Sequence, residues 1–147
     1  MDCNGMRRVL VLLVVVAALV GSGTAAPATS ASLTVRSSSF GRILFDGRGF
    51  ALYAFTKDGT GRSTCAGACA KAWPPFIVTK RPAAGPGARS GLIGTVRRSD
   101  GRLQATYRGR PLYRYVHDPR LQVLCQNVSE FGGLWLVVRP DGTLVRT

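Results

Sequence analysis

The sequence predicts an all-β, mainly antiparallel domain with one short helix, folded as a compact β-sandwich or barrel-like structure from two internal repeats. Three observations lead to this prediction. An aromatic motif occurs twice, Asp-Gly turn signals separate short apolar runs, and beyond the N-terminal apolar run only one segment has good helix formers in succession. This pattern is typical of antiparallel hairpins, and two equivalent halves usually pack so that each covers the apolar face of the other.

The repeat is defined by one motif, Leu-Tyr-x-aromatic-x-x-Asp. It occupies residues 52–58 and, 60 positions later, residues 112–118. The same spacing relates a glycine and a cysteine of each half, namely Gly49 with Gly109 and Cys65 with Cys125. An internal duplication explains these matches, and it constrains the fold more than the activity.

The motif residues have a structural interpretation. Side chains alternate along a strand, so the two aromatic residues of each copy share one face and are expected in the core. The aspartates follow the strand end, where a carboxylate can accept backbone N–H groups and fix a turn. Two tryptophans, whose indole N–H groups need partners, are also expected in the core. The alternative is that these aromatics line a groove for a flat or sugar-like ligand. The set comprises Tyr53, Phe55, Asp58, Trp73, Tyr113, Tyr115, Asp118 and Trp135.

The N-terminal segment predicts export. Two arginines precede an unbroken apolar run over residues 9–20, and small residues follow. This order is typical of a secretory signal peptide, and the run is too short for an ordinary transmembrane helix. We expect a signal peptide at residues 1–28 with cleavage after Ala28; Ala25 and Ala31 are alternative sites, and an uncleaved anchor is the competing interpretation. Residues 29–40, rich in Ser, Thr and Ala, are expected to be a flexible lead-in.

The first repeat, at about residues 41–80 of a single domain spanning 41–147, begins with a hairpin. Strands are predicted at residues 43–45 and 50–56 around Asp46-Gly47, where glycine tolerates the positive φ of a tight turn. A helix of about two turns is predicted at residues 66–73 and ends at Pro74-Pro75. A strand follows at residues 76–79. The Pro/Gly-rich residues 81–91 are expected to form the loop that joins the halves.

The second repeat, at about residues 92–147, contains two more hairpins. One turns at Asp100-Gly101, between strands at residues 95–98 and 103–107, and the other turns at Asp141-Gly142. The last hairpin joins strands at residues 134–139 and 143–146, and the chain also reverses at residues 107–111 before a strand at 112–116. Three hairpins in so short a chain favour an antiparallel sheet.

The charge of the chain is strongly positive. Lysine and arginine number 20 against 7 acidic residues, for a formal net charge of +13. Such an excess attracts anionic partners, here an anionic cell-envelope polymer or lipid headgroups. The arginines are spread along the chain, which favours a solvated surface over a dedicated patch. Specific nucleic-acid binding is disfavoured, since an export signal is present and no helix-turn-helix or zinc-finger pattern is found.

The combined pattern resembles a known family. It consists of the two aromatic motifs, Ser63-Thr64-Cys65-x-Gly67-x-Cys69, Trp73-Pro74-Pro75 and Gly132-Gly133-x-Trp135. This pattern closely resembles a bacterial family of secreted repeat lipoproteins without an established activity. The resemblance covers nearly the whole mature chain and implies an extracytoplasmic protein close to the membrane or cell wall. The chain departs from the family in lacking a lipid-attachment cysteine and in having Cys125-Gln126-Asn127-Val128 in place of a Gly-rich stretch.

Three cysteines remain after loss of the leader, because Cys3 would leave with it. In an oxidising compartment we expect one disulfide and one remaining thiol among Cys65, Cys69 and Cys125. The resemblance implies Cys65–Cys69, which needs a bent turn because residues four apart on a helix differ by about 6 Å in rise. Pairing either cysteine with Cys125 would instead cross-link the two halves and stabilise the fold by about 4 kcal/mol.

No catalytic motif is evident, and no nucleophile-elbow pattern occurs. The sequence therefore favours a non-enzymatic, exported binding or structural domain of the cell envelope without a cofactor. The alternative is a copper- or zinc-handling or thiol-redox protein that uses Cys65, Cys69, Cys125 and His117. Thiolates and an imidazole suit Cu(I) and Zn²⁺. However, the counterpart of His117 in the first repeat is Lys57, which favours an exposed position for this histidine.

Overall fold

The computed structural model describes Cys3 and residues 31–146. The described residues confirm a mainly antiparallel β fold with one short α-helix. The predicted signal peptide and its cleavage site lie outside the described residues, apart from Cys3. The elements are β1 Ser32–Ser38, β2 Gly41–Asp46, β3 Tyr53–Phe55, α1 Ala68–Ala72, β4 Ile77–Val78, β5 Ala83–Ala84, β6 Ile93–Arg97, β7 Leu103–Tyr107, β8 Arg110–Pro111, β9 Val128–Glu130 and β10 Gly133–Val137.

The strands of residues 31–146 form three small sheets. Their orders are β2-β1-β5, β3-β10-β9 and β4-β7-β6, and β8 also pairs with β7. All of these pairs are antiparallel except the short parallel contact between β1 and β5. The sheets are not closed into a barrel, so of the two predicted architectures the structure corresponds to a sandwich-like one.

The two repeats share their first structural unit. Each begins with an antiparallel hairpin, β1–β2 in the first repeat and β6–β7 in the second. Leu33 pairs with Asp46, and Ile93 pairs with Tyr107 at the corresponding place. The first strands are thus related by 60 positions and the second strands by 61, because the β6–β7 turn contains one additional residue. The turn that follows is one residue shorter, so the 60-residue spacing is restored at the motif.

The predicted lead-in at residues 29–40 is corrected by the structure. Residues 32–38 form β1, which pairs with β2 along its whole length. Leu33 is fully buried, and Val35 packs against the same core cluster. The Ser- and Thr-rich composition indicated a linker. However, the two apolar residues alternate with polar ones, as in a strand with one buried face, and β2 provides the backbone partner of this strand.

The other predicted elements are present in part, with different bounds. The hairpins predicted around Asp46-Gly47 and Asp141-Gly142 are reduced to single bridges, Phe45 with Ala51 and Val138 with Leu144. The helix predicted at residues 66–73 is α1, and the strand predicted at 76–79 is β4. The joining loop at residues 81–91 contains β5 and the start of a 3₁₀ turn at Ser90–Leu92. The strand predicted at residues 112–116 is reduced to isolated bridges, in which Tyr113 faces both Tyr53 and Pro75.

The core consists of two clusters on opposite faces of the motif strands. One cluster contains the aromatic residues of both motifs and both tryptophans. The other contains the intervening residues Leu52, Ala54 and Leu112. In the structure the motif aromatics therefore share a face and lie in the core.

Candidate functional site: the motif core and an arginine-lined cleft

The two motifs exchange hydrogen bonds between the repeats. The Tyr53 hydroxyl donates to Asp118 Oδ2 at 2.6 Å, and the Tyr113 hydroxyl donates to Asp58 Oδ2 at 2.6 Å. Tyr53 and Tyr113 also join their backbones, since each N–H donates to the carbonyl of the other at 2.9 Å. The motif residues therefore meet at the centre of the two-repeat structure, and each copy is completed by the other.

The second oxygen of each motif carboxylate fixes a loop. Asp58 Oδ1 accepts the backbone N–H of Thr64 at 2.7 Å, and Asp118 Oδ1 accepts that of Leu124 at 2.9 Å. Both donors lie six positions beyond their aspartate. Both hydrogen bonds have the form predicted for a turn-fixing carboxylate. Sequence reasoning missed the tyrosine partners of these aspartates, because the repeat spacing does not show which copy supplies the hydroxyl.

The tryptophans form the centre of the aromatic cluster. The rings of Trp73 and Trp135 are stacked, with centroids 4.2 Å apart and planes 3° apart. Trp73 Nε1 donates to Glu130 Oε2 at 2.8 Å, and Trp135 Nε1 donates to the carbonyl of Glu130 at 3.3 Å. The expected indole partners are therefore present, and both come from one glutamate. Because both tryptophans are fully buried, they do not form an open groove.

Burial determines the protonation of the motif core. Desolvation raises the pKa of Tyr53, and the nearby Asp118 charge raises it further. Desolvation, reinforced by the hydrogen bond to Asp58, raises the pKa of Tyr113 to about 12. The pKa of Asp118 is also raised by desolvation, against the opposing effect of the Tyr53 hydrogen bond. Both phenols thus stay protonated at neutral pH and donate hydrogen bonds to the aspartates. These bonds hold the two repeats together.

A buried arginine links the motif core to the segment that carries Ser63 and Cys65. Arg98 is only 6% exposed, and its guanidinium donates to Ser63 Oγ at 2.6 Å and to the carbonyl of Cys65 at 2.6 Å. It also donates to Gln104 Oε1 at 2.7 Å, while Ser63 Oγ lies 2.6 Å from the Tyr113 hydroxyl. Sequence reasoning assigned this arginine no special role, because nothing in its local pattern differs from that of an exposed strand residue.

The cysteines form two disulfides. Cys65 pairs with Cys69, with Cα atoms 5.4 Å apart, which is the pair that the family resemblance implies. Cys125 pairs with Cys3. The expectation of one remaining thiol is therefore corrected for the chain that still carries Cys3, since its described cysteines are all paired. Cleavage after Ala28 would remove Cys3 and leave Cys125 without this partner.

The described residues do not assemble the predicted metal ligands. Cys3 and residues 31–146 contain no group of three or more His, Cys, Asp or Glu side chains that could hold a metal ion. Cys65, Cys69 and Cys125 are consumed by disulfides. His117 is exposed, as its counterpart Lys57 indicated, and its ring contacts that of Tyr115 with centroids 5.5 Å apart.

A cleft of about 670 Å³ lies where the first repeat meets the second. Its floor contains Asp46, which is 1% exposed. Asp46 Oδ1 accepts the backbone N–H groups of Arg48 and Phe50, both at 2.9 Å, and Oδ2 lies 2.6 Å from Arg114 Nη2. The charged and aromatic lining residues are Asp46, Arg48, Phe50, Phe76, Arg114 and Arg120. Sequence reasoning recognised only the turn at Asp46-Gly47, because the arginines of the cleft are far apart in the chain.

Within the described residues, no helix combines the length and the apolar character that crossing a bilayer requires. No curated protein matches this chain, and no solved structure matches it. A family model described as a secreted repeat of unknown function matches residues 34–77 and 94–144. These two matches contain most of each hairpin and both aromatic motifs, which confirms the resemblance and the extracytoplasmic location. The chain therefore belongs to the family of secreted repeats of unknown function.

Proposed function

We propose that this secreted protein is a non-enzymatic binding domain of the cell envelope and that its ligand is an anionic envelope polymer. One observation carries the proposal: the acidic side chains of the described residues are engaged within the protein, whereas most of the basic ones are exposed. The surface offered to a partner is therefore more uniformly positive than the composition alone indicates.

The acidic residues have structural roles. Each of the six aspartates and glutamates between residues 31 and 146 accepts a hydrogen bond from the protein itself. Two of them, Asp46 and Asp100, also form ion pairs with arginines. These carboxylates are Asp46, Asp58, Asp100, Asp118, Glu130 and Asp141.

The basic residues are mostly free to bind a partner. Among residues 31–146, ion pairs involve Arg98, Arg102 and Arg114. Exposed lysines and arginines occur on strands of both repeats, on α1, in the joining segment and near the C-terminus. A flexible polymer can follow cations that are spread over many elements, whereas a flat bilayer contacts one face at a time. This distribution favours a polymer over lipid headgroups.

The motif core supports a role without catalysis. Its tyrosines and aspartates satisfy one another and the adjacent backbone, so they hold the fold together and are not directed at a substrate. The metal-handling or thiol-redox alternative requires reduced Cys65 and Cys69. Both cysteines are buried and joined to each other, which favours a structural disulfide in an exported protein.

Binding to isolated cell walls tests the proposal. The mature protein is mixed with walls that carry their anionic polymers, with the same walls after extraction of those polymers, and with vesicles containing anionic lipid. We expect sedimentation with the intact walls that decreases steeply as salt is raised, because exposed charges are screened beyond about 10 Å at 0.1 M ionic strength. Equal binding to extracted walls, or binding unchanged from low to high salt, would refute the polymer as ligand. Stronger binding to vesicles than to walls would point to lipid headgroups instead.

A further inference from the structure

We propose that the cleft around Asp46 binds the acidic group of a sugar- or polyol-sized ligand, a unit bearing one phosphate or carboxylate. This inference rests on the proposed function and makes it more specific, because such a unit is the building block of an anionic envelope polymer. The cleft supplies three arginines against one aspartate. It therefore has an excess of positive charge even after its internal ion pair is formed.

The internal ion pair fixes one wall of the cleft. Arg114 Nη2 lies 2.6 Å from the buried Asp46 Oδ2, and the Arg114 guanidinium lies over the ring of Phe76 at 4.6 Å from its centroid. Arg114 is about one quarter exposed. A guanidinium held between a carboxylate and an aromatic face is preorganised, and its remaining N–H donors suit a planar or tetrahedral oxyanion.

Arg48 and Arg120 supply the charge that is not compensated within the site. Both are exposed, and the Arg48 guanidinium lies 5.5 Å from the centroid of the Phe50 ring. Arg120 is brought to the cleft by a close approach of its loop, since the N–H of Leu121 donates to the carbonyl of Gly49 at 2.7 Å. Gly49 has a φ of 91°, and a Cβ there would lie 3.2 Å from Leu121 Cδ2 and 3.6 Å from Arg120 Nε. The absence of a side chain at Gly49 thus permits this approach.

Comparison of the repeats shows that the buried ion pair of the cleft occurs at only one of the two places where equivalent loops of the repeats meet. The loop contact recurs, because Gly61 N–H donates to the carbonyl of Gly109 at 2.8 Å, as Leu121 does to Gly49. Of the four charged residues only Arg48 has a charged counterpart, Arg108, by the 60-residue spacing. By strand pairing, the position of Asp46 is occupied by Tyr107. By the 60-residue spacing, Arg114 corresponds to Ala54 and Arg120 to Thr60.

This asymmetry separates a binding role from a folding role. The loop contact is the same in both repeats, although the turn is one residue shorter in the second. The second copy forms this contact without a buried aspartate and without arginines at the positions of Arg114 and Arg120. The Asp46–Arg114 ion pair and Arg120 are therefore not requirements of the loop contact. We infer that both repeats kept the loop contact, and that an anion site arose at the Gly49–Leu121 contact but not at the equivalent Gly109–Gly61 contact.

The size of the cleft selects the class of ligand. Small-molecule sites usually occupy about 300–1,000 Å³, and this cleft has about 670 Å³. A bare oxyanion would fill only a small part of that volume. A phosphate or carboxylate attached to a polyol or sugar ring would contact the arginines with its acidic group and the phenyl rings with its carbon skeleton.

Titration followed by amide NMR tests the site on the mature protein. The probes are glycerol 3-phosphate and glucuronate, with glycerol and glucose as neutral counterparts. We expect an acidic probe to shift amides of the Asp46–Phe50 turn and of Arg114 and Arg120, while its neutral counterpart does not. Response to glycerol 3-phosphate alone identifies a phosphate ligand, and response to glucuronate alone identifies a carboxylate ligand. Absence of saturable shifts with both acidic probes would overturn the proposal.

Matched variants locate the binding and separate the two proposals. We expect the double variant Arg48→Gln/Arg120→Gln to weaken binding of the acidic probe at least tenfold. The control is Arg36→Gln/Arg110→Gln, which removes the same charge from exposed residues outside the cleft, and it should change the affinity less than twofold. An equal loss in both variants would overturn the cleft as the site. If intact walls are still bound in a salt-sensitive way under that outcome, the polymer function stands and only the cleft is rejected; probe binding without wall binding would reject the polymer function alone.

Discussion

The hydroxyl of Tyr53 donates a 2.6 Å hydrogen bond to the carboxylate of Asp118, which belongs to the other repeat. The reciprocal bond from Tyr113 to Asp58 has the same length. In each motif, therefore, the tyrosine and the aspartate do not bond to each other. Each of them bonds to a residue of the other motif. A single repeat would leave its tyrosine and its aspartate without these partners, so the two copies depend on each other for stability.

Removal of the Tyr53 hydroxyl tests this dependence. In Tyr53→Phe the carboxylate of Asp118, only 6% exposed, loses its side-chain donor. We expect the free energy of unfolding to fall by about 1–3 kcal/mol, the cost of leaving a buried polar group unsatisfied. Urea denaturation followed by tryptophan fluorescence measures the change.

The matched control for this variant is Tyr115→Phe. Tyr115 lies in the same aromatic cluster, and the described residues show no hydrogen bond to either motif aspartate from its hydroxyl. Its loss should change stability by less than the loss of the Tyr53 hydroxyl. Equal effects of the two substitutions would show that the bond between the repeats is not a source of stability.

Alkaline titration tests the hydrogen bond from Tyr113 to Asp58. The pKa of Tyr113 rises from its usual 10.0 to about 12 in the folded protein. Because the folded pKa lies above the unfolded one, this phenol contributes stability that is fully present below pH 10.0 and is lost as the pH rises through about 12. We expect the midpoint of urea unfolding to decrease over this interval.

The variant Tyr113→Phe isolates the contribution of this residue. Its unfolding midpoint should depend less steeply on pH in the same alkaline interval, and one tyrosinate step should be missing from its absorbance titration. A titration of the folded wild-type protein in which every tyrosine ionises near pH 10 would contradict the assigned environment of Tyr113.

Intact mass analysis tests the cysteine assignments. In the exported protein we expect a chain that begins at Thr29, contains the Cys65–Cys69 disulfide and carries one thiol at Cys125. Cys125 is 1% exposed in the chain that carries Cys3, and it belongs to the core cluster that contains both tryptophans. Because of this core position, its thiol should react slowly with alkylating agents until the protein is unfolded. The full-length chain, oxidised with Cys3 present, should instead contain two disulfides and no thiol.

The cleaved chain and the full-length chain differ in mass and in disulfide content, so contradicting outcomes can be recognised. An exported chain that retains Cys3 and both disulfides would show that the leader is not removed. A disulfide from Cys125 to Cys65 or Cys69 in the exported protein would contradict the Cys65–Cys69 pairing. Peptide mapping under non-reducing conditions distinguishes these cases.

The candidate site was predictable only in part. The spacing of aromatic residues indicated which side chains enter the core, and the position of Asp58 and Asp118 indicated their role at a turn. Neither feature shows that Tyr53 binds Asp118 of the other copy, since alternation along a strand is a local property. The cleft was not predictable, because Arg48, Arg114 and Arg120 come together only through packing of the two repeats.

The amino-acid sequence by itself determined the β class, the duplication, the Asp-Gly turns and the short helix. The duplication is visible as a repeated motif. The other features depend on side-chain alternation, on the conformational freedom of glycine and on the ability of proline to end a helix, and each of these acts over only a few residues. Tertiary structure decided that the Ser-rich segment at residues 32–38 is a strand, that the motifs exchange partners and that one corner of the duplicated fold carries a charged cleft. Each of these depends on residues far apart in the chain, whose free energy of contact is gained only after the two repeats have packed together.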